Sequence, residues 1–84
     1  MINLTIEILK NNGFSLDKES MILSKDIDDC HITLSPMFSG NTNSYVFYFE
    51  CIQNEKTISM SNLKTIDDLN NILSVVNIHI NFRI

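Results

Sequence analysis

The sequence predicts a single α+β domain, a two-layer sandwich in which a mainly antiparallel sheet of about five strands carries two helices on one face. At 84 residues, with 44% apolar and 19% charged residues, the chain has the size and composition of one folded domain, residues 1–84. Short segments in which apolar and polar residues alternate are typical of half-buried strands. Two segments with apolar residues three and four apart are typical of amphipathic helices. Their order along the chain is α-β-β-β-β-α-β.

The first element, residues 2–12, is predicted to be a helix, although its pattern also fits a strand. Every second residue at its start is apolar: Ile2, Leu4, Ile6 and Ile8. The same segment has an apolar face at helical spacing, and its end favours the helix. Lys10 lies in the last turn, Gly13 at the C′ position and apolar Phe14 after it, which together form a helix stop. A hairpin turn at Asn12-Gly13 is the alternative.

Four strands are predicted in the middle of the chain: residues 20–25, 30–35, 45–53 and 57–60. Residues 26–29 have turn chemistry and would join the first two strands. Pro36 is expected to end the second strand because it cannot donate a hydrogen bond to a ladder. Residues 39–43 are predicted to be a loop and residues 53–56 a turn.

A second helix is predicted to begin after Thr65. Thr65 and Asp68 form a capping box at its start, with Asp68 in place of the preferred Glu. Its apolar face consists of Ile66, Leu69, Leu73 and Val76. Residues 78–84 alternate again and are predicted to be the last strand. The expected core combines apolar residues of both layers: Ile6, Leu9, Met21, Leu23, Ile32, Leu34, Phe47, Phe49, Ile58, Leu69, Leu73, Ile80 and Phe82.

The charge of the chain argues against direct nucleic-acid binding, because a sequence-general binder neutralises phosphates with a basic surface. The net charge is −4, and the six basic residues are scattered: Lys10, Lys18, Lys25, Lys56, Lys64 and Arg83. A mildly acidic surface suits a basic protein partner, such as an enzyme that handles nucleic acid. We expect no membrane span and no signal peptide. Cys30 and Cys51 are expected to be reduced core residues, with a disulfide as the alternative, which favours a cytoplasmic protein.

No catalytic or metal-binding constellation is recognisable, so we predict a protein that is not an enzyme and has no cofactor. Cys30 and His31 are sequence neighbours and would point to opposite faces of a strand. Asp26, Asp28 and Asp29 resemble the start of a calcium loop, but the loop lacks its glycine, and Met37 stands where the bidentate Glu belongs. A nucleophile elbow and a glycine-rich phosphate loop are also absent from the sequence.

The candidate partner-binding residues are those expected to point away from the core on the strands, together with the acidic turn. They are Asp26, Asp28, Asp29, Tyr48, Glu50, His79, Asn81 and Arg83. Tyr and Arg often dominate protein interfaces. The last predicted strand, residues 78–84, is a candidate sheet edge, which would allow strand addition or a homodimer.

Two segments, EILKNNGF at residues 7–14 and TIDDLNNIL at residues 65–73, enclose the β region. In this layout the chain resembles small proteins of phages and mobile elements, of the kind found among anti-CRISPR inhibitors, which are short, acidic, α+β and without catalytic motifs. The resemblance implies an inhibitor that blocks a host defence nuclease such as a CRISPR effector. The alternatives are an immunity protein or antitoxin that caps a toxin, and a small homo-oligomeric interaction module.

Overall fold

The computed structural model describes residues 2–38 and 45–84 of the chain. Its elements in chain order are α1 (Ile6–Asn11), β1 (Ser15–Leu16), β2 (Leu23–Ile27), β3 (Cys30–Phe38), β4 (Tyr45–Gln53), β5 (Lys56–Leu63) and α2 (Ile66–Val75). The strands form one antiparallel sheet in the order β1-β2-β3-β4-β5, so each strand pairs with its neighbours in the chain. The predicted α+β fold, with five antiparallel strands and two helices, is confirmed. Neither helix is both long and apolar enough to cross a bilayer within these described ranges.

Helix α1 ends as its sequence predicts but begins at Ile6 instead of residue 2, because Asn3 pairs with Thr65 in an isolated β-bridge. Thr5 caps its start, since the Thr5 hydroxyl accepts a hydrogen bond of 3.0 Å from the Ile8 N–H. At its end, the Phe14 N–H donates to the Leu9 carbonyl over 3.0 Å and the Gly13 N–H to the Lys10 carbonyl over 3.1 Å, the pattern of a Schellman motif. Gly13 has a φ of 93°, a left-handed conformation that favours glycine. The hairpin alternative at this turn is therefore wrong.

Strands β2 and β3 differ from their predicted bounds. Strand β2 begins at Leu23 and continues to Ile27, so the turn shrinks to Asp28-Asp29. Met21, predicted to be core, lies before β2 with a φ of 62° and is 41% exposed. Strand β3 continues through Pro36 instead of ending before it. The last pair between β2 and β3 joins Leu23 to Leu34, so among the described strands β3 has β4 as its only neighbour at Pro36, and proline is tolerated at such an edge.

A two-residue turn joins β4 to β5. Asn54 and Glu55 have φ values of 50° and 65°, the left-handed conformations of a type I′ turn. Strand β5 is longer than predicted and reaches Leu63 through a bulge that follows Met60. Asn62 lies in this bulge with a φ of 64°.

Helix α2 has the predicted capping box. The Asp68 N–H donates to the Thr65 hydroxyl over 3.1 Å, and the Thr65 N–H donates to Asp68 Oδ2 over 3.0 Å. The helix ends in a second Schellman motif, in which Asn77 has a φ of 60° and the Ile78 N–H donates to the Leu73 carbonyl over 3.0 Å. The predicted start and apolar face of α2 are confirmed.

The structure corrects one element: residues 78–84 form no strand, and β1 is the fifth strand of the sheet. The predicted alternation of burial is nevertheless present, since Ile78 is buried, Ile80 and Phe82 are half-buried, and His79 is exposed. Residues 78–84 are bound by the side-chain amide of Asn12 and not by pairing with a neighbouring strand. Asn12 Nδ2 donates to the Arg83 carbonyl over 2.9 Å, and the Arg83 N–H donates to Asn12 Oδ1 over 2.8 Å.

A single hydrophobic core lies between one face of the sheet and the two helices. Its fully buried members include Leu9, Leu23, Ile32, Leu34, Phe47, Phe49, Leu69 and Leu73. The predicted core residues are confirmed except for Met21; Ile6, Ile58, Ile80 and Phe82 are partly buried at its margin. Cys30 and Cys51 are buried in this core as free thiols, as predicted.

Candidate protein-binding surface

The opposite face of the sheet is uncovered in the part of the chain that the structure describes, and we call it the open face. Successive residues of a strand point to opposite sides, so the register of the sheet identifies its members. They are Ser24, Asp26, His31, Thr33, Ser35, Met37, Val46, Tyr48, Glu50, Ile52, Thr57 and Ser59. The buried residues of both helices belong to the core on the other side.

Cross-strand pairing arranges these side chains in rows. One row runs Asp26, His31, Ile52, Thr57, and the next runs Ser24, Thr33, Glu50, Ser59. Ser35 and Tyr48 form a third pair, and Met37 and Val46 a fourth. Tyr48, Glu50 and Ile52 alternate with core residues along β4, so an aromatic ring, a carboxylate and an aliphatic side chain follow one another on the open face.

Apolar side chains are exposed at both ends of the open face. Ile52 is 44% exposed and Met37 is 53% exposed, whereas Tyr48 between them is half-buried. Val46 is buried although it does not belong to the core cluster. Contiguous exposed apolar patches mark sites that bind another protein, whereas single exposed apolar side chains are common on any surface, so Ile52 and Met37 gain weight only from their neighbours on this face.

The charge of the open face is acidic. Its ionisable residues are Asp26, His31 and Glu50, and none of the six basic residues lies on it. Asp26 Oδ1 lies 2.5 Å from His31 Nδ1, with both side chains at least half exposed. The open face therefore presents a carboxylate at its centre and a carboxylate–imidazole pair near one end.

The acidic character continues at the end of the sheet where two hairpin turns lie together. Asp28-Asp29 joins β2 to β3, and Glu55 lies in the turn between β4 and β5. Five of the ten acidic residues therefore belong to the open face and these turns: Asp26, Asp28, Asp29, Glu50 and Glu55. Lys56 is the single Lys or Arg at this end. Negative charge is thus concentrated on this part of the molecule.

The structure brings together five of the predicted partner-binding residues and separates three. Tyr48, Glu50 and Asp26 lie on the open face, with Asp28 and Asp29 in the turn at its end. The other three, His79, Asn81 and Arg83, lie in the C-terminal segment that Asn12 of the helix layer holds. His79 Nε2 and Asn81 Oδ1 are 2.9 Å apart. The expected strand edge at residues 78–84 is not formed, so this segment offers no edge for a homodimer.

Sequence reasoning missed Met37, because Pro36 was expected to end β3 before it. The alternation of β3 places Met37 on the same face as Thr33 and Ser35. A signal for it was present: Met37 and Phe38 continue the apolar composition after the proline. The local sequence does not show that β2 ends before it reaches Pro36, which is what allows β3 to continue to Met37.

Reactive or metal-binding groups of the described residues would lie among the thiols, the carboxylates or the lining of a groove. Burial raises the pKa of the Cys51 thiol to about 11, and the neighbouring Cys30 adds to the shift, so the thiol is protonated at neutral pH. No group of three or more His, Cys, Asp or Glu residues could hold a metal ion within residues 2–38 and 45–84. A groove of about 330 Å³ between Ile2, Ile66, Asp67 and Ile84 has a single carboxylate and no nucleophile in its lining.

Comparison with known proteins adds no relative: no protein-family model matches the chain, and no curated protein or solved structure matches it either.

Proposed function

We propose that this protein is a non-catalytic inhibitor that binds a protein partner through the open face and the acidic turns at its end. The observation that carries the proposal is the combination, on one uncovered sheet face, of exposed Ile52, half-buried Tyr48 and unbalanced negative charge. Docking would remove the apolar side chains from water, and tyrosine is among the residues that dominate interface energetics.

The proposed partner is an enzyme with a basic nucleic-acid channel, in the first place a CRISPR nuclease or another host defence nuclease. Such a channel binds phosphates through Lys and Arg, and the five clustered carboxylates are complementary to it. The mechanism is occlusion, in which the acidic surface occupies the channel and competes with DNA or RNA. A gene of phage or mobile-element origin and action in the cytoplasm belong to this proposal.

The two parts of the surface should have separable roles. Charges that keep contact with water, such as half-buried Glu50, should mainly accelerate association, because pairs between solvent-accessible groups are worth only about 0–1 kcal/mol at equilibrium. Ile52, an exposed apolar side chain that the contact would bury, should mainly slow dissociation. These roles predict different kinetic effects for variants at the two positions.

The test measures cleavage by purified CRISPR nucleases in the presence of the protein, together with the kinetics of binding. We expect Ile52→Lys to weaken binding by roughly 10–100-fold through faster dissociation. Glu50→Lys should lower the association rate, more so at low ionic strength. The matched controls are Val75→Lys, at a 64% exposed position of α2, and Glu19→Lys, an exposed acid in the turn after β1. Both controls should inhibit like the wild-type protein.

Two results would contradict the proposal. One is inhibition that survives both open-face substitutions, and the other is an equal loss of inhibition in the two control variants. If no nuclease is inhibited but a toxin encoded beside the gene is bound through Ile52 and Glu50, the same surface would serve the alternative function of an immunity protein or antitoxin.

A further inference from the structure

Strand β5 forms the one long edge of the sheet in the described residues. The sheet ends in β1 on one side and β5 on the other, and β1 has two residues whereas β5 has eight. Long edges are normally protected by charged side chains, proline or a covering element. From Thr57 to Leu63 the edge of β5 has neither a charge nor a proline, and its bulge comes late, after Met60.

The hairpin determines which backbone groups of β5 point outward. A two-residue type I′ turn is closed by a hydrogen-bonded pair, here Gln53 and Lys56. Pairs alternate along an antiparallel ladder, so Thr57 and Ser59 belong to pairs that are not hydrogen-bonded to β4. The N–H and C=O groups of Thr57 and Ser59 therefore point away from the sheet.

Two apolar side chains at the β5 edge are also left partly exposed to water. Met60 points to the core side of the sheet, opposite Phe49, yet it is 47% exposed. Ile58, its neighbour on the same side, is partly buried at the margin of the core. A further strand beside β5 would cover both side chains and extend the core across the edge.

We infer that the β5 edge binds the β5 edge of a second copy of this chain, antiparallel, with the two-fold axis at Ser59. In this register the two Ser59 residues exchange hydrogen bonds, and Thr57 of each copy lies opposite Ser61 of the other at the start of the bulge, in a continuous ten-stranded sheet. Ile58 of each copy lies opposite Met60 of the other, so the two uncovered apolar side chains cover each other.

Charge selects this register over its neighbours. With the axis at Ser59, the acidic Glu55 of one copy comes beside the end of the other β5, close to basic Lys64. An axis at Ile58 would place Lys56 opposite Met60, and an axis at Met60 would place Lys56 opposite Lys64 of the second copy. Like charges opposite each other destabilise a strand pair. Only the Ser59 register combines apolar pairing with complementary charges.

The test is the mass of the protein in solution from about 10 to 500 μM, a range that suits a short interface. We expect the mass to rise with concentration from one 9.6 kDa chain to two. Ser59→Pro should remain a single chain, because it removes an outward N–H without removing a bond to β4. Ser59→Ala is the matched control, since it keeps the N–H and should dimerise like the wild-type protein.

A second variant keeps the proposal falsifiable if Ser59→Pro fails to fold. Met60→Glu at this half-exposed position should weaken dimerisation by roughly tenfold or more, because it buries an unpaired carboxylate against Ile58 of the second copy. Isotope-filtered NOEs between Ile58 and Met60 methyl groups of different chains would support the register. A single-chain mass at every concentration, or a dimer that both Met60→Glu and a folded Ser59→Pro leave intact, overturns the proposal. The first result would leave the edge open to a strand of another protein.

The proposed dimer and the proposed inhibitory function are tested by different variants, so either one can be refuted without the other. Met60 lies on the core side of the sheet and not on the open face. A Met60→Glu protein that is monomeric but still inhibits a nuclease would show that the open face acts without the dimer. Conversely, an Ile52→Lys protein that no longer inhibits should still dimerise like the wild-type protein.

Discussion

Replacing Asn12 with alanine should release the C-terminal segment from helix α1. The side chain of Asn12 makes three hydrogen bonds: its Nδ2 donates to the Ile8 carbonyl over 2.8 Å and to the Arg83 carbonyl over 2.9 Å, and its Oδ1 accepts from the Arg83 N–H over 2.8 Å. The two bonds to Arg83 are the only hydrogen bonds between α1 or its cap and residues 78–84 in the described chain. Alanine removes all three.

The expected loss of stability follows from the exposure of these bonds. A typical intramolecular hydrogen bond contributes about 0.5–1.5 kcal/mol net, and the two bonds to Arg83 are exposed and belong at the low end. We therefore expect Asn12→Ala to lower the free energy of unfolding by about 1.5–2 kcal/mol. For a domain of this size that corresponds to a Tm lower by roughly 10 °C.

Native-state hydrogen exchange distinguishes local release from general destabilisation. The Arg83 amide should be protected in the wild-type protein and exchange close to its intrinsic rate in Asn12→Ala. The Ile78 amide should remain protected relative to Arg83, because its bond to the Leu73 carbonyl does not involve Asn12. Asn11→Ala, at an exposed neighbouring position, is the control. The reasoning would be refuted by unchanged protection of Arg83, or by equal stability of the Asn11 and Asn12 variants.

Three further predictions concern the turn after α1, the capping box of α2 and the buried thiols. Gly13→Ala should lose about 1–2 kcal/mol in urea denaturation, because φ is 93° there and the new Cβ would lie 2.5 Å from Lys25 Nζ; wild-type stability would contradict this. Asp68→Asn should cost about 1 kcal/mol at pH 7. Hydrogen bonds from the backbone N–H groups of Lys64 and Thr65 hold the pKa of the Asp68 carboxyl below its usual 3.8. The stabilisation by the Asp68 carboxylate is therefore present above pH 3.8 and lost below it, and the difference in unfolding free energy between Asp68→Asn and wild type should shrink in acid. A difference that does not change with pH would refute the assignment. Because burial raises the pKa of the Cys51 thiol from 9.0 to about 11, Cys51 of the native protein at pH 8 should react with iodoacetamide about 100-fold more slowly than Cys51 of the urea-unfolded protein, measured on its own peptide by mass spectrometry. For the same reason the free energy of unfolding should fall as the pH rises above 9, and rapid labelling of Cys51 in the native protein would argue against the shift.

Local chemistry explains the parts of the fold that the sequence predicts well. The end of α1 depends on Gly13 and the start of α2 on Thr65 and Asp68, and all of these interactions join residues within five positions of one another. The side on which Phe47 and Phe49 lie follows from simple alternation in a long strand. For the same reason Tyr48 and Glu50 could be assigned to the opposite face before the structure was known.

The errors have a common cause, which is that each depends on a distant segment. Strand β3 continues through Pro36 because β2 ends before reaching it, and no property of residues 35–38 records the length of β2. Strand β1 has two residues, too few for any periodicity to be visible. Residues 78–84 have the alternation of a strand but pack beside α1, where Asn12 binds the backbone of Arg83.

The residues of the candidate surface also divide into those that local sequence predicts and those that the tertiary structure adds or removes. Its members on β4 and the acidic turn at Asp28-Asp29 were recognisable from composition and alternation, whereas the removal of His79, Asn81 and Arg83 from it, and the addition of Met37, depended on where the segments lie in space.

By itself, the amino-acid sequence determined the end of α1, the start of α2, the two hairpin turns, the core-facing residues of the long strands and the acidic character of the chain. These properties arise from backbone conformational preference, side-chain alternation and charge, all of which act within a few residues. The tertiary structure alone decided which segment supplies the fifth strand, that β5 is the long edge of the described sheet, and that half of the acidic residues lie on the open face and the two hairpin turns at its end. Those outcomes depend on pairings between residues far apart in the chain, which are selected by the burial of the whole core and not by any local pattern.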